Sequence, residues 1–371
     1  MVIRTILNIS LMEYQKNKNQ NQFVMKNNIL IIGLILFAFC TCKKDDHSND
    51  LIDNEKLSKY QIFNIKDYPI NSGGTDIVRC VGVDKDNNVW MGCRPLIKFN
   101  GKYWEKFGLE VFGDRVFEVS DIAFDSKNTM WCGTNNGLFR FDGKKWESYF
   151  YIEERPFQTS VSNVHCDLHD NLWFSKNGDL VCYNGTSWKT FEYQKSFPGA
   201  QIQKITSDKD GNIFIGCFDA LYKYNGTEFT KVYYSKDDNS MNVRDLDFDK
   251  SGDLWVSCKS DLLVLHEGEL KAMDTKSIKN PQYGYYFWWA ESLTIDNSND
   301  EVIIGTWNTG IACYSINSFN YLRGNEFQID SSNFQINVLE FDLNNNLWIV
   351  TRDGNIIVYN EQGLNFNRTR Q

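Results

Sequence analysis

The sequence predicts an all-β protein, a seven-bladed β-propeller of four-stranded antiparallel blades, from three observations. An aspartate recurs at Asp84, Asp125, Asp167, Asp208, Asp249, Asp296 and Asp342, with gaps of 41, 42, 41, 41, 47 and 46 residues. About six residues after each aspartate, a bulky apolar residue opens a β run. An Asn-Gly, Asp-Gly or Glu-Gly pair then follows in five copies: Asn100-Gly101, Asp142-Gly143, Asn184-Gly185, Asn225-Gly226 and Glu267-Gly268. A unit of this length cannot bury an apolar face by itself, so its copies must stack on one another.

Each copy reads as four strands, labelled a to d. In the second, strand a is Asp121-Ile-Ala-Phe-Asp125 and strand b is Thr129-Met-Trp-Cys-Gly133. Strand c is Leu138-Phe-Arg-Phe141, and strand d is Lys145-Trp-Glu-Ser-Tyr149. Polar residues such as Lys209-Asp210-Gly211 make a tight a–b hairpin, and the glycine pair joins c to d. Three residues after that glycine, Trp104, Trp146, Trp188 or Phe229 marks strand d. The sixth copy departs most, with one extra turn residue and Ile303 in the aromatic position. Four antiparallel strands repeated seven times is a propeller pattern. Closure needs a blade shared by both chain ends. Tyr60-Gln-Ile-Phe-Asn-Ile65, a strand d without a blade, is expected to complete the blade built from Asn337 to Tyr359. Gly363-Leu-Asn-Phe366 competes for that slot.

The run Phe124-Asp125-Ser-Lys-Asn-Thr-Met-Trp131-Cys-Gly-Thr-Asn-Asn-Gly-Leu138 resembles the two-component regulator propeller repeat. Asp208-Lys-Asp-Gly-Asn-Ile-Phe214-Ile-Gly216 and Asp342-Leu-Asn-Asn-Asn-Leu-Trp348-Ile resemble it too, and the similarity covers residues 77–366. The resemblance implies an exported propeller of the kind found in sensor halves of hybrid histidine kinases and as free-standing proteins. It identifies blades, which many functions share.

Composition narrows the class. Apolar residues make up 42% of the 371 and aromatics 15%, with only 5 prolines, which suits a large β core. A net charge of −9 argues against nucleic acid, because phosphate contacts need a basic surface.

The N-terminus reads as an address. Residues 1–24 are polar and read as a doubtful extension ahead of Met25. Met25-Lys26-Asn27-Asn28 followed by the apolar run Ile29 to Phe39 reads as a signal peptide over 25–41, too short to span a bilayer. Cys42-Lys-Lys-Asp45-Asp46 resembles the lipobox cysteine and acidic export signal of Gram-negative surface lipoproteins, which makes Cys42 the expected acylated residue. Phe39 departs from the usual Leu three residues before it. Residues 42–58 would then be a tether, and 59–371 the propeller. The expected location is the outer membrane or the cell surface, with the lipid as the membrane partner.

Eight further cysteines are Cys80, Cys93, Cys132, Cys166, Cys182, Cys217, Cys258 and Cys313. Cys93, Cys217 and Cys258 occupy one position in three different repeats, so they lie too far apart to pair. They read as small buried apolar residues. The aspartates themselves lack the alternating ligands and terminal glutamate of an EF-hand loop, so they read as turn caps, and no metal or cofactor is expected.

Two sets of candidate site residues remain. His165, Asp247 and Glu340, each two residues before its aspartate, would line the channel as weak catalytic candidates. No Gly-x-Ser-x-Gly, phosphate loop or triad spacing accompanies them. Where the period stretches to 47 residues the chain carries Tyr283-Gly-Tyr285-Tyr286-Phe287-Trp288-Trp289. The d–a and b–c connections emerge on one face. That face would gather Tyr285, Tyr286, Trp288 and Trp289 with Trp307, Arg352, Asp353, Lys259, Asn135, Asn136 and Arg94 as a ligand site. Aromatic faces beside amides and charges suit sugar rings or peptides, although Trp288 and Trp289 could equally pack between blades. The expectation is a non-enzymatic, membrane-anchored module that binds glycan, peptide or protein. The alternatives are a lyase or lactonase-type enzyme with a site in the channel, and an assembly lipoprotein of an outer-membrane complex.

Overall fold

The architecture comes from a computed structural model that describes residues 59–64, 77–94, 96–113, 118–149, 151–152, 155–156, 160–197, 201–232, 241–259, 261–273, 289–307, 310–315, 318–322, 327, 334–364 and 366. The expected signal peptide over 25–41, Cys42, the expected tether and Tyr283 to Trp288 lie outside them. Lys56–Gln371 forms one compact unit. Among the described residues no helix is long and apolar enough to cross a membrane.

Seven four-stranded antiparallel sheets form the expected blades. Their innermost strands are Cys80–Val83, Val119–Phe124, Val161–Cys166, Ile202–Ser207, Val243–Phe248, Ala290–Asp296 and Ile336–Phe341, for blades one to seven. Each inner strand packs beside the next, and that of blade seven beside that of blade one, so the ring is closed. Closure follows the sequence expectation. Tyr60–Asn64 pairs antiparallel with Asn355–Tyr359 as the outer strand of blade seven, with Ile62 opposite Ile357. The competing segment does a different job: Phe366 packs on Phe99 at 5.5 Å and Trp348 at 6.3 Å, sealing the seam between blades seven and one.

The recurring aspartate is the central joint of each blade. In five blades its carboxylate accepts the backbone N–H groups two and four residues on: for Asp167, those of His169 and Asn171, both at 2.9 Å. The Nδ2 of Asn88, Asn171, Asn212 and Asn346 also donates to it. In four blades it further accepts the indole N–H of the tryptophan six residues later, from Trp90, Trp173, Trp255 and Trp348 at 2.8–3.0 Å. A buried indole N–H needs such a partner, which explains the fixed spacing. The residue three after the aspartate takes a left-handed conformation to close the turn: Asn87, Asn128, Asp170, Gly211, Gly252 and Asn345. Blade six, with its extra residue, places Asp300 there instead.

Neighbouring blades are stapled through the same turns. Lys85 N–H donates to Asn128 Oδ1 at 2.8 Å, Ser126 N–H to Asp170 at 2.7 Å, and Leu343 N–H to Asn87 Oδ1 at 2.7 Å. Seven apolar clusters form the core, one between each pair of adjacent blades. The close fit uses Gly216 and Gly305: a Cβ on either would meet Val243 Cγ1 at 2.5 Å or Ile336 Cγ2 at 2.3 Å, side chains of the next blade. All eight cysteines among the described residues are free, five of them fully buried.

Asp342→Ala should destabilise the protein more than Asp208→Ala, by about 3 against about 1–2 kcal/mol. The first strands the buried Trp348 indole, whereas the second faces Phe214, which has no donor. Denaturant midpoints of the two variants measure the difference.

Candidate functional site

Two positions of each inner strand recur in register around the ring of blades. Four residues before the aspartates stand Cys80, Asp121, Asn163, Lys204, Asp245, Ser292 and Val338. Two residues before them stand Gly82, Ala123, His165, Thr206, Asp247, Thr294 and Glu340. Lys204 Nζ lies 3.1 Å from Asp245 Oδ1. Asp245, with the nearby Asp121 and Glu340, holds the Lys204 ammonium above its ordinary range despite burial. Asp245 also joins blades, accepting Leu293 N–H at 3.0 Å and Ser292 Oγ–H at 3.1 Å. Asp121 does the same for Val164 N–H at 2.8 Å.

Burial, reinforced by Asp245, pushes the Asp247 carboxyl up to about 7. Burial and then Asp247 push Glu340 up to about 8. His165 behaves oppositely, with burial lowering it to about 4, so its imidazole is neutral near pH 7. Its Nε2 sits 2.8 Å from Ser207 Oγ, and the charges acting on it are Asp167 and Lys204. The Asp247 charge thus acts on Glu340, while His165 is engaged with its own neighbours. Among the described residues no group of three His, Cys, Asp or Glu could hold a metal ion.

The opposite feature of the channel is its mouth on the loop face. Trp289, directly before the inner strand of blade six, adopts φ 56°, a left-handed conformation unusual for a bulky residue. There its N–H donates to the Lys259 carbonyl of blade five at 2.8 Å, and its carbonyl accepts Trp307 N–H at 3.0 Å. The indoles of Trp289 and Trp307 meet edge to face, with centroids 5.3 Å apart. Lys259 Nζ lies 5.3 Å from the Trp289 ring centre, and the Arg352 guanidinium 4.0 Å from that of Trp307. Just inside, Arg244 NH1 lies 3.9 Å from Glu291. Burial raises the Glu291 carboxyl against the pull of Arg244 and Arg352. Among the described residues the buried Arg244 Nε has no hydrogen-bond partner.

Four of the residues expected on this face, Trp289, Trp307, Lys259 and Arg352, thus converge across blades five to seven. Trp289 is half-buried with ring contacts to both blades, so it joins the packing and the site at once. Tyr285, Tyr286 and Trp288 lie outside the described residues. Asn135 is turned to its own blade, accepting Glu118 N–H at 3.0 Å. Arg244 and Glu291 were missed by the repeat pattern, because inner-strand positions alternate and their register at the strand start is shifted by a bulge. The convergence gives a flat aromatic corner with three cations and one carboxylate, in a chain of net charge −9.

Raised carboxyl groups favour the folded state when protonated. Stability from Asp247 and Glu340 is therefore complete below their unfolded values of 3.8 and 4.5 and is lost as pH rises through about 7 and 8. The depressed His165 contributes stability above 6.5 that is lost as pH falls toward about 4. Melting temperatures should fall between pH 6 and pH 8, and the double variant Asp247→Asn/Glu340→Gln should flatten that fall.

No family model matches the sequence, and no curated protein matches it. Solved structures share its fold. The extracellular domain of a hybrid two-component system from B. thetaiotaomicron superposes with a TM-score of 0.65 at 20% identity, over 81% of this chain and 40% of that one. PorZ, a surface component of the type-IX secretion system of Porphyromonas gingivalis, gives 0.62 at 14%, over 77% and 46%. Virginiamycin B lyase from Staphylococcus aureus gives 0.61 at 14%, over 81% and 98%. The chain spans less than half the length of the first two, and it shares with all three the propeller architecture.

Proposed function

We propose that this protein is an exported recognition propeller, lipid-anchored through Cys42, that binds a glycan or peptide on its loop face without transforming it. The observation that carries this reading is the Trp289–Trp307 corner with Arg352 and Lys259 set against its rings. Aromatic faces offer contact area at low entropic cost, and flanking cations add a preference for a ligand bearing a carboxylate or similar anion. The backbone of Trp289 supports it as well, since a strained residue held between two blades at a cleft mouth is a frequent mark of a functional position. The extracellular and surface propellers of the same fold make export and partner recognition natural roles for it. The lipobox-like segment at Cys42 supports placement at the outer membrane.

A second reading, a channel-centred enzyme of the lyase type, draws on one observation: Asp247 and Glu340 titrate near neutrality beside Lys204, as catalytic acids do. His165→Ala and Glu340→Gln abolish turnover under that reading and leave binding intact under the first.

Arrays of acidic and neutral glycans and of peptides test the recognition reading. Trp307→Ala and Arg352→Ala should each weaken binding about tenfold or more, and Arg352→Lys should recover it only in part because the planar stack is lost. Binding indifferent to all three variants contradicts the assignment. Metabolic labelling with a fatty acid, lost in Cys42→Ala, tests the anchor.

A further inference from the structure

Across the same face, between blades three and four, lies a cleft of about 660 Å³. Small-molecule sites commonly span about 300–1,000 Å³. Its lining differs from the aromatic corner in one decisive respect: among the described residues it holds no ionisable acid or base apart from a tyrosine. The described walls are Ser160, Ser162, Ser175, Asn177 and Gln201, completed by Tyr193, Gly178 and Ile202.

The floor is built by an irregularity peculiar to blade three. In the other bulged blades one residue of the inner strand is skipped in the pairing, whereas here the register jumps from Ser162 to His165. Asn163 in that gap adopts φ 54°. Its Nδ2 donates to the Ile202 carbonyl of blade four at 3.1 Å and to Ser175 Oγ at 3.0 Å. Ser175 Oγ–H donates to the Ser162 carbonyl at 3.0 Å, and the two hydroxyl oxygens lie 2.8 Å apart. Since Ser175 uses its proton on that carbonyl, Ser162 donates to Ser175. Ser175 is then saturated, and Ser162 keeps a lone pair as acceptor. The floor is rigid and tied across two blades.

The rim supplies both donors and acceptors. The side chains of Ser160, Asn177 and Gln201 have no hydrogen-bond partner among the described residues, and each can donate and accept. Tyr193 is fixed as a wall, its backbone N–H on Asp179 Oδ1 at 3.0 Å and its hydroxyl accepting from Gln194 at 3.1 Å. Gly178, at φ 91°, sits beside the ring: a Cβ there would make ordinary contact, 3.4 Å from Tyr193 Cδ1.

From this juxtaposition we infer that the cleft between blades three and four is a binding site for neutral sugar units. A polyhydroxylated ring presents alternating O–H donors and acceptors to amphoteric amides and hydroxyls. Its C–H face packs on an aromatic ring, and it carries no charge for the site to neutralise. Among the described lining residues an anionic ligand would find no cation, and an apolar one would cover the Asn177 and Gln201 amides without pairing them. The inference shares the loop face with the proposed function but none of its residues, so the two can fail separately.

The test applies the full chain to neutral oligosaccharides of hexose and N-acetylhexosamine, with uronic-acid oligosaccharides and peptides beside them. Tyr193→Ala and the cleft-filling Ser160→Trp, each checked for an unchanged melting temperature, should reduce neutral-sugar binding about tenfold or more, while Tyr193→Phe retains it. Should Tyr193→Ala fail to fold, Ser160→Trp and Gln201→Ala on the rim give the same readout. The inference is overturned if no neutral oligosaccharide binds at millimolar concentration, or if it binds equally well to the cleft variants. Retention only of uronic-acid oligosaccharides or peptides overturns it too, and in that case leaves the aromatic corner as the sole site.

Discussion

One carboxylate per blade organises this molecule. The aspartate after each inner strand gathers the N–H groups of its own turn, and in four blades it reaches on to an indole buried between blades. A tryptophan can enter the core only where its N–H is met. The turn, the spacing and the packing of the blade against its neighbour are therefore one constraint seen at three scales. The same turns hand hydrogen bonds to the adjacent blade through Asn87, Asn128 and Asp170. Glycine at the equivalent place in blades four and five forgoes that staple.

A closed ring fixed on the turn face leaves the opposite loop face free to vary. Both candidate sites lie there, and each departs from the repeat in its own way. The aromatic corner follows the lengthened connection between blades five and six, with Trp289 held in a left-handed conformation between two blades. The neutral cleft follows the widened bulge of blade three, where Asn163 ties the floor to blade four. Acidic groups collect instead on the inner strands, around Lys204, where burial keeps Asp247 and Glu340 largely protonated below neutrality.

The blades were legible in the sequence because turn chemistry repeats in register: the aspartate, the left-handed residue three further on, and the Asn-Gly pairs all have fixed local causes. Closure was legible too, from an orphan outer strand at Tyr60. The indole partner of the aspartate was visible only as a spacing, since a hydrogen bond between residues six apart needs the hairpin to be folded first. Phe366 as a seal between blades had no local signal, because its partners Phe99 and Trp348 are distant in the chain. Of the site, Trp307 and Arg352 were legible because the b–c and d–a loops emerge on one face. The cleft at Ser162 and Asn163 was not, because a run of small polar residues on a strand looks ordinary until a bulge turns them inward.

The central claim is that recognition occurs on the loop face and not in the channel. Hydroxyl-radical footprinting of the full chain, with and without a bound glycan or peptide, addresses it directly. The account predicts protection at Trp289, Trp307 and the Arg352 loop, with the inner-strand segments carrying Asp247 and Glu340 unchanged. Protection confined to those inner strands, or to the aspartate turns on the opposite face, would contradict it.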